Sequence, residues 1–317
     1  MADLARLEEL LSEQEARVRD AFREFIESVG SGAAFDAIVE RLEARDINGA
    51  MAIADSYVLR MADVLPAINQ IVGAEAAAEL AAILPGVVQA VSFDPSHPRA
   101  AELVRRNRLE FVQQFSAEQR KATQQALNRG FREGLGTADT ARLFRSSIGL
   151  TAYQEQIIEN YRTQLRNLDR RALDRSLRDR RSDRSLETAI ARNRPLTEKQ
   201  IDSMVARYRN KWLAFRSENI ARTEALTATS MAREEAVEQM IEQTGIGPER
   251  VEDIWNTSRD KRVRDFHATM QGQIQQHGQP FLDGLGNRLR YPGDPAAPAK
   301  TRIGCRCAKT YRIKAAA

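Results

Sequence analysis

Apolar residues at the start of the chain recur at three- and four-residue intervals. Between Leu4 and Val29 this spacing places them on one face of a helix, and Gly30-Ser31-Gly32 provides its end. Ala-rich segments with helical spacing continue to about residue 91. We therefore predict one long amphipathic helix followed by a helical block.

Helical spacing also dominates the middle of the chain. It predicts a helix over Arg99–Arg132, and after Pro195 it leads into a helical segment over 217–243. The longest pattern begins at Thr151 and continues to about residue 180, which predicts one long Arg-rich helix. The i,i+4 ion pairs expected on this helix are Arg170–Asp174, Asp174–Arg178 and Arg175–Asp179.

The pattern changes after Gly245–Pro248. Val251–Thr257 is β-prone, and in Ile303–Lys314 the odd positions are mostly apolar while the even ones include basic residues. Lys309 breaks that alternation. The predicted fold class is mainly α, with long helices in the N-terminal and middle regions and a small α+β C-terminal module.

Proline-containing breaks indicate the domain boundaries. Asp94–Pro98 has two prolines within four residues, which prevents a continuous helix. A length of 317 residues suits two or three domains. We predict an acidic helical domain over 1–94, a helical domain with the Arg-rich helix over 95–248, and an α+β module over 249–317.

The net charge of +4 is unevenly distributed. Residues 1–90 hold 7 basic and 16 acidic residues, residues 162–216 hold 16 and 7, and residues 250–317 hold 13 and 6. The acidic block favours docking on a protein, or on itself, and the basic segments favour a position near DNA. The three Asp residues interleaved between Arg170 and Arg184 favour a solvated or protein-facing helix over a nucleic-acid surface. The candidate nucleic-acid-facing residues are Arg170, Arg171, Arg175, Arg178, Arg181, Arg184, Arg306, Arg312 and Lys314.

Composition excludes several classes of protein. No apolar run approaches 18 residues, so we expect no membrane partner. The N-terminus lacks the apolar region of a signal peptide, and the two cysteines are separated by a single residue, too close for a disulfide framework. We therefore expect folding in a reducing cytosol. An aromatic content of 6% argues against a base-stacking nucleic-acid binder.

Two kinds of chemistry can be written for the C-terminal cysteines. One possibility is a four-ligand zinc set of His267, His277, Cys305 and Cys307, but their spacing is not that of common zinc modules. We favour the alternative, in which both cysteines are small buried residues and His267 is hydrogen-bonded on a helix.

The second possibility is that one of the cysteines is a catalytic nucleophile. Cys305 or Cys307 would act with His267 as base and with Asp260 or Asp294 as orienting group. Sequence spacing does not establish that geometry. We accordingly predict no catalytic residue, no metal ligand and no cofactor.

An ordered set of residues in the last 70 positions carries a family resemblance. Its members are Trp255, Thr257, Asp260, Arg264, His267, Pro292, Gly293, Asp294, Cys305, Arg306 and Cys307. This set resembles that of the phage Mu F-like head morphogenesis proteins, in which a Trp-x-Thr-x-x-Asp-x-Arg-Val-Arg-x-x-His stretch precedes a Pro-Gly-Asp turn and a Cys-Arg-Cys ending. One departure is Gly304, where the family usually has Asn. We take these motif residues as structural.

The resemblance implies a minor head protein of a tailed phage or prophage. Such a protein is found in the virion, in the head interior or at the portal vertex, and in the host cytoplasm during assembly. Its expected partners are the portal protein, other head proteins and packaged double-stranded DNA, and its expected roles are head morphogenesis and DNA packaging or ejection. The resemblance implies no enzyme. The alternatives are a DNA-binding protein acting on packaged or entering DNA and, because F-like modules are sometimes joined to toxin domains, an enzyme of toxin or transferase type.

Overall fold

The computed structural model describes residues 4–84 and 91–314, most of which are helical. The helices before the first strand are α1 (Leu4–Gly30), α2 (Gly32–Glu43), α3 (Ile47–Ala62), α4 (Val64–Ile83), α5 (Pro98–Arg132), α6 (Thr137–Ser147), α7 (Ala152–Arg166), α8 (Asp183–Ala191) and α9 (Glu198–Thr244). The prediction of a mainly α fold with long helices is confirmed. Across the described ranges, no helix combines the length and apolar character needed to cross a bilayer.

The C-terminal part is a small α+β module, as predicted. It consists of β1 (Val251–Asn256), α10 (Asp265–Ala268), β2 (Ile274–Gln276), β3 (Phe281–Leu282), β4 (Arg288–Leu289), α11 (Ala299–Arg302) and β5 (Ala308–Ile313). β1 is the central strand and pairs antiparallel with both β2 and β5, while β3 and β4 form a separate antiparallel pair.

The described residues form two compact units, each built from separate stretches of chain. One unit comprises the described residues within 1–21, 61–111 and 218–317. One of its cores packs Leu10 and Val18 against apolar residues of α4 and against a row of alanines on α9 that includes Ala221 and Ala225. Alanine leaves room for close approach of the helices, which explains why this α9 face carries small residues.

The other unit comprises 22–60 and 112–217. One of its clusters contains Leu150, Leu165 and the rings of Tyr161 and Tyr208, whose centroids are 4.5 Å apart. The predicted domain boundaries near residues 95 and 248 stay predictions.

The predicted Arg-rich helix from Thr151 to about residue 180 is wrong. α7 ends at Arg166, and the chain then forms two 3-10 turns, Arg170–Asp174 and Arg180–Ser182. The carboxylate of Asp169 accepts a hydrogen bond from the N–H of Arg171, and that of Asp179 accepts one from the N–H of Arg181. Such local side-chain bonds compete with helical backbone bonds and favour turns.

The ion pairs of this stretch differ accordingly from those expected. Within the described residues, none of the three i,i+4 pairs forms. The observed pairs are Arg171–Asp169 at 2.6 Å, Arg181–Asp179 at 2.7 Å and Arg178–Asp183 at 2.9 Å. The longest helix is instead α9, with 47 residues.

The predicted C-terminal strand is shorter than its alternating pattern. Ile303 is the C-cap of α11 and is 45% exposed, and the strand begins only at Ala308. The inward positions are nonetheless correct at Cys305, Cys307 and Tyr311, which are all buried. Lys309, which breaks the apolar pattern, is buried as well.

Candidate functional site

His267, Cys305 and Cys307 lie together inside the C-terminal module. Nδ1 of His267 is 3.7 Å from Sγ of Cys305 and 3.7 Å from Sγ of Cys307. None of the three residues is more than 3% exposed. Nε2 of His267 has no hydrogen-bond partner among the described residues, so within them the two sulfurs are the polar partners of the imidazole.

Two charged contacts hold the segments that carry these side chains. The guanidinium of Arg264, the N-cap of α10, donates a hydrogen bond to the carbonyl oxygen of Ile303. Arg306, between the two cysteines, pairs with Asp260 at 2.6 Å. The loop before α10 is therefore fixed against the segment before β5, and this brings His267 to the cysteines.

Apolar side chains enclose the three residues. Trp255 of β1, Met270 and Phe281 of β3 are fully buried and belong to the same cluster as the cysteines. The Trp255 ring lies edge-on to His267 with the centroids 6.1 Å apart. Trp255 thus forms a wall of the site, which gives this motif residue a structural role.

The two sulfurs differ electrostatically. A hydrogen bond from the Cys307 thiol holds the pKa of Cys305 well below its usual value, burial opposes this effect, and His267 lowers the pKa further. The same contact, together with burial, raises the pKa of Cys307. Of the two thiols, that of Cys305 therefore loses its proton more readily.

His277 is not part of this cluster, so the four-ligand zinc set is not assembled. Its ring follows β2, where Nδ1 lies 3.0 Å from Asp253 Oδ1 and Nε2 lies 3.2 Å from Glu238 Oε1. Burial alone would lower the pKa of His277, but the hydrogen bonds to Asp253 and Glu238 outweigh it and raise the pKa to about 9. The imidazole is therefore a cation at neutral pH.

A buried ionic network surrounds His277. Nζ of Lys309 is 2.9 Å from Oδ2 of Asp253 and also pairs with Glu234. The three carboxylates of this network belong to Glu234, Glu238 and Asp253, and none of them was predicted from the sequence. The signal for it was Lys309 itself, because a lysine at an inward strand position requires a buried anion.

Thr257 closes the loop that follows β1. Its N–H and its hydroxyl both donate to Oε1 of Gln271, at 2.8 and 2.7 Å. The two chain segments that flank α10 are thereby joined.

The Pro292-Gly293-Asp294 turn is fixed on both sides. The carbonyl oxygen of Gly293 accepts a hydrogen bond from the Thr227 hydroxyl of α9 at 2.9 Å. The Asp294 carboxylate accepts bonds from the guanidinium and the N–H of Arg290 and from the N–H of Ala296. These contacts give the turn a structural role.

The arrangement required for nucleophilic catalysis is incomplete. His267 does reach both sulfurs, but Asp260 pairs with Arg306 and Asp294 pairs with Arg290. Neither carboxylate contacts the imidazole, so the proposed orienting contact is not formed.

The candidate nucleic-acid-facing residues fall into two groups. Within the described residues, Arg170 and Arg184 are exposed and form no ion pair. The other seven are engaged. Arg171, Arg178 and Arg181 pair with Asp residues, Arg175 donates to Gln164, Arg306 pairs with Asp260, and Arg312 and Lys314 pair with Glu252.

Comparison with known proteins gives one result. The family model described as Phage Mu protein F like protein matches residues 120–310, more than half of the chain. No curated protein and no solved structure matches. The matched range contains the whole ordered motif from Trp255 to Cys307. The chain therefore belongs to the phage Mu protein F-like family and is related to phage head proteins.

Proposed function

We propose that this protein is a minor head protein of a tailed phage or prophage, associated with the portal and acting in head morphogenesis and in DNA packaging or ejection. Family membership over residues 120–310 is the observation that carries the proposal. Its place would be the head interior or the portal vertex, after assembly in the host cytoplasm.

The contacts of the motif residues support a structural role. Asp260, Arg264 and Arg306 connect loops, and the Pro-Gly-Asp turn is bound to α9. Each of these contacts fixes the fold of the module. A module of this kind suits a protein that functions through its surface in an assembly.

The N-terminal part of α1 offers a surface for a protein partner. Glu8, Glu13 and Asp20 are exposed, while Leu10 and Val18 of the same helix are buried. Exposed acidic side chains are expected to associate with a basic surface on the portal, on another head protein or on a second copy of this chain.

Quantification of the protein in purified procapsids and virions tests this function. We expect it in the particles at a fixed low ratio to the portal protein, and we expect it to remain with the portal when the particles are disrupted. Its complete absence from both kinds of particle would refute the proposal.

A second candidate is a protein that binds packaged or entering DNA. It is favoured by Arg170 and Arg184, whose side chains are exposed and form no ion pair with the part of the chain that the structure describes. If each contacts one phosphate, the Arg170→Gln/Arg184→Gln variant should lower the salt slope of duplex binding by about 2. Arg105→Gln/Arg142→Gln removes the same charge from exposed arginines that pair with neighbouring carboxylates, and it is the matched control. A folded chain that does not bind duplex DNA at low salt would exclude this candidate.

A further inference from the structure

Nδ1 of His267 has two sulfur neighbours but can form a hydrogen bond with only one of them. Both sulfurs lie 3.7 Å from this one nitrogen. A neutral imidazole nitrogen has either one proton or one lone pair. A single proton cannot point at two sulfurs at once, whereas an ion between the three atoms would bind the lone pair and both sulfurs.

The distances fit coordination. The ligand atoms of His267, Cys305 and Cys307 all lie within 4.8 Å of one another. With Zn–N of about 2.0 Å and Zn–S of about 2.3 Å, tetrahedral angles place the nitrogen and each sulfur about 3.5 Å apart. The observed separation of 3.7 Å is close to this value.

Charge and burial narrow the choice of ion. Thiolate and imidazole ligands select a thiophilic ion over Mg²⁺ or Ca²⁺. All three side chains are buried, and a net charge in such a place is costly. Two thiolates and one neutral imidazole cancel the charge of Zn²⁺, whereas Cu⁺ would leave a net negative charge.

We propose that His267 Nδ1, Cys305 Sγ and Cys307 Sγ bind one Zn²⁺ ion as a structural site. A water molecule would complete the tetrahedron. Each sulfur binds as a thiolate, so any thiol proton passes to solvent and no redox step occurs. The ion cross-links α10 to the segment before β5, adding to the contacts that Arg264 and Arg306 already make there.

A second group, Glu234, Asp253 and His277, also has its potential ligand atoms within 4.8 Å of one another. There, however, the Lys309 ammonium pairs with both carboxylates. The ammonium group therefore already neutralises the carboxylates that a metal ion would need as ligands. The proposal therefore assigns the ion to the cysteine cluster.

Cobalt and zinc binding to the full-length chain test the proposal without any substitution. The reduced chain is stripped with a chelator and desalted, and its helical content is checked by circular dichroism. Added Co²⁺ should give thiolate-to-cobalt charge-transfer absorption that saturates at one equivalent, and Zn²⁺ should abolish it. A folded, reduced chain without this absorption would overturn the proposal.

Matched variants identify the ligands. Cys305→Ser, Cys307→Ser and His267→Gln should each weaken Co²⁺ binding by more than about tenfold, because loss of even an outer-shell contact costs about 10–100-fold. His97→Gln changes a histidine outside the cluster and should leave binding unchanged, as should His277→Gln. Equal metal content in the wild type and a folded Cys305→Ser/Cys307→Ser variant would show that the metal binds elsewhere. If a variant does not fold, the cobalt titration of the wild-type chain still tests whether the site binds metal.

Discussion

Nζ of Lys309 lies 2.9 Å from Oδ2 of Asp253, and both side chains are almost fully buried. Asp253 is on β1 and Lys309 is on β5, and these two strands pair with each other. Their separation in sequence is large, so the pair exists only in the folded chain. The attraction between the two charges adds little net stability, because both are removed from water. Loss of either partner, however, would leave a buried charge unpaired, and that is strongly destabilising.

The first prediction concerns this pair. Lys309→Met should destabilise the protein by about 3 kcal/mol, because removing one partner leaves the carboxylates of Asp253 and Glu234 without the ammonium. The free energy of unfolding is measured by urea denaturation. Lys300→Met, at an exposed lysine, is the control and should change it by less than about 0.5 kcal/mol. Equal stabilities of the two variants would contradict the expectation.

The second prediction concerns pH. The pKa of His277 is about 9 in the folded chain, against an ordinary value of 6.5. The folded state therefore binds more protons than the unfolded state between these values, and stability falls as pH rises through that window. The stabilisation is complete below about pH 6.5 and amounts to at most about 3 kcal/mol.

Urea unfolding of the wild type and of His277→Gln between pH 6 and 9.5 measures this effect. The wild-type free energy of unfolding should decrease with pH more steeply than that of the variant. Parallel curves for the two proteins would show that His277 does not titrate in this way.

The third prediction concerns Gly293, which has φ +82. A Cβ at this position would lie 3.1 Å from Thr227 Oγ1 and 3.2 Å from Thr227 N. Gly278 has the same φ, but a Cβ there would meet nothing within 4 Å. Both Gly→Ala variants incur the left-handed backbone strain, which costs about 1 kcal/mol or more. Only Gly293→Ala also crowds α9, so it should be the less stable of the two by denaturant unfolding. The reverse order would contradict the role assigned to the turn.

Local patterns in the sequence predicted much of the fold. The three- and four-residue spacing of apolar side chains predicted α1 and the helical middle, and the alternation over Ile303–Lys314 predicted that Cys305, Cys307 and Tyr311 are buried. The spacing failed between residues 167 and 182, because Asp169 and Asp179 form hydrogen bonds with the backbone that the apolar stripe does not reveal.

The candidate site could be predicted only in part. Its residue types were visible, but the pattern could not show that His267 joins the cysteines while His277 joins Asp253. That division depends on the pairing of β2 with β1, which places His277 beside Asp253, and on the Arg264 contact that fixes α10. Long-range pairing of this kind is not specified by local periodicity.

The last prediction concerns Gly304. Proteins of the phage Mu F-like family usually have Asn at this position. Gly304 has φ +65, and its N–H donates to Thr223 Oγ1 at 3.0 Å. Among residues with a Cβ, Asn enters the left-handed region most readily, because its short polar side chain bonds locally. A Cβ here would meet only Asn219 Oδ1 at 3.5 Å, an ordinary contact, so space does not limit the substitution. Gly304→Asn should therefore lower the melting temperature by only a few degrees, and Gly304→Val, whose branched side chain is strained at this φ, by clearly more. Thermal unfolding of the two variants side by side measures the difference, and equal losses would mean that the backbone at residue 304 is not held in the left-handed region.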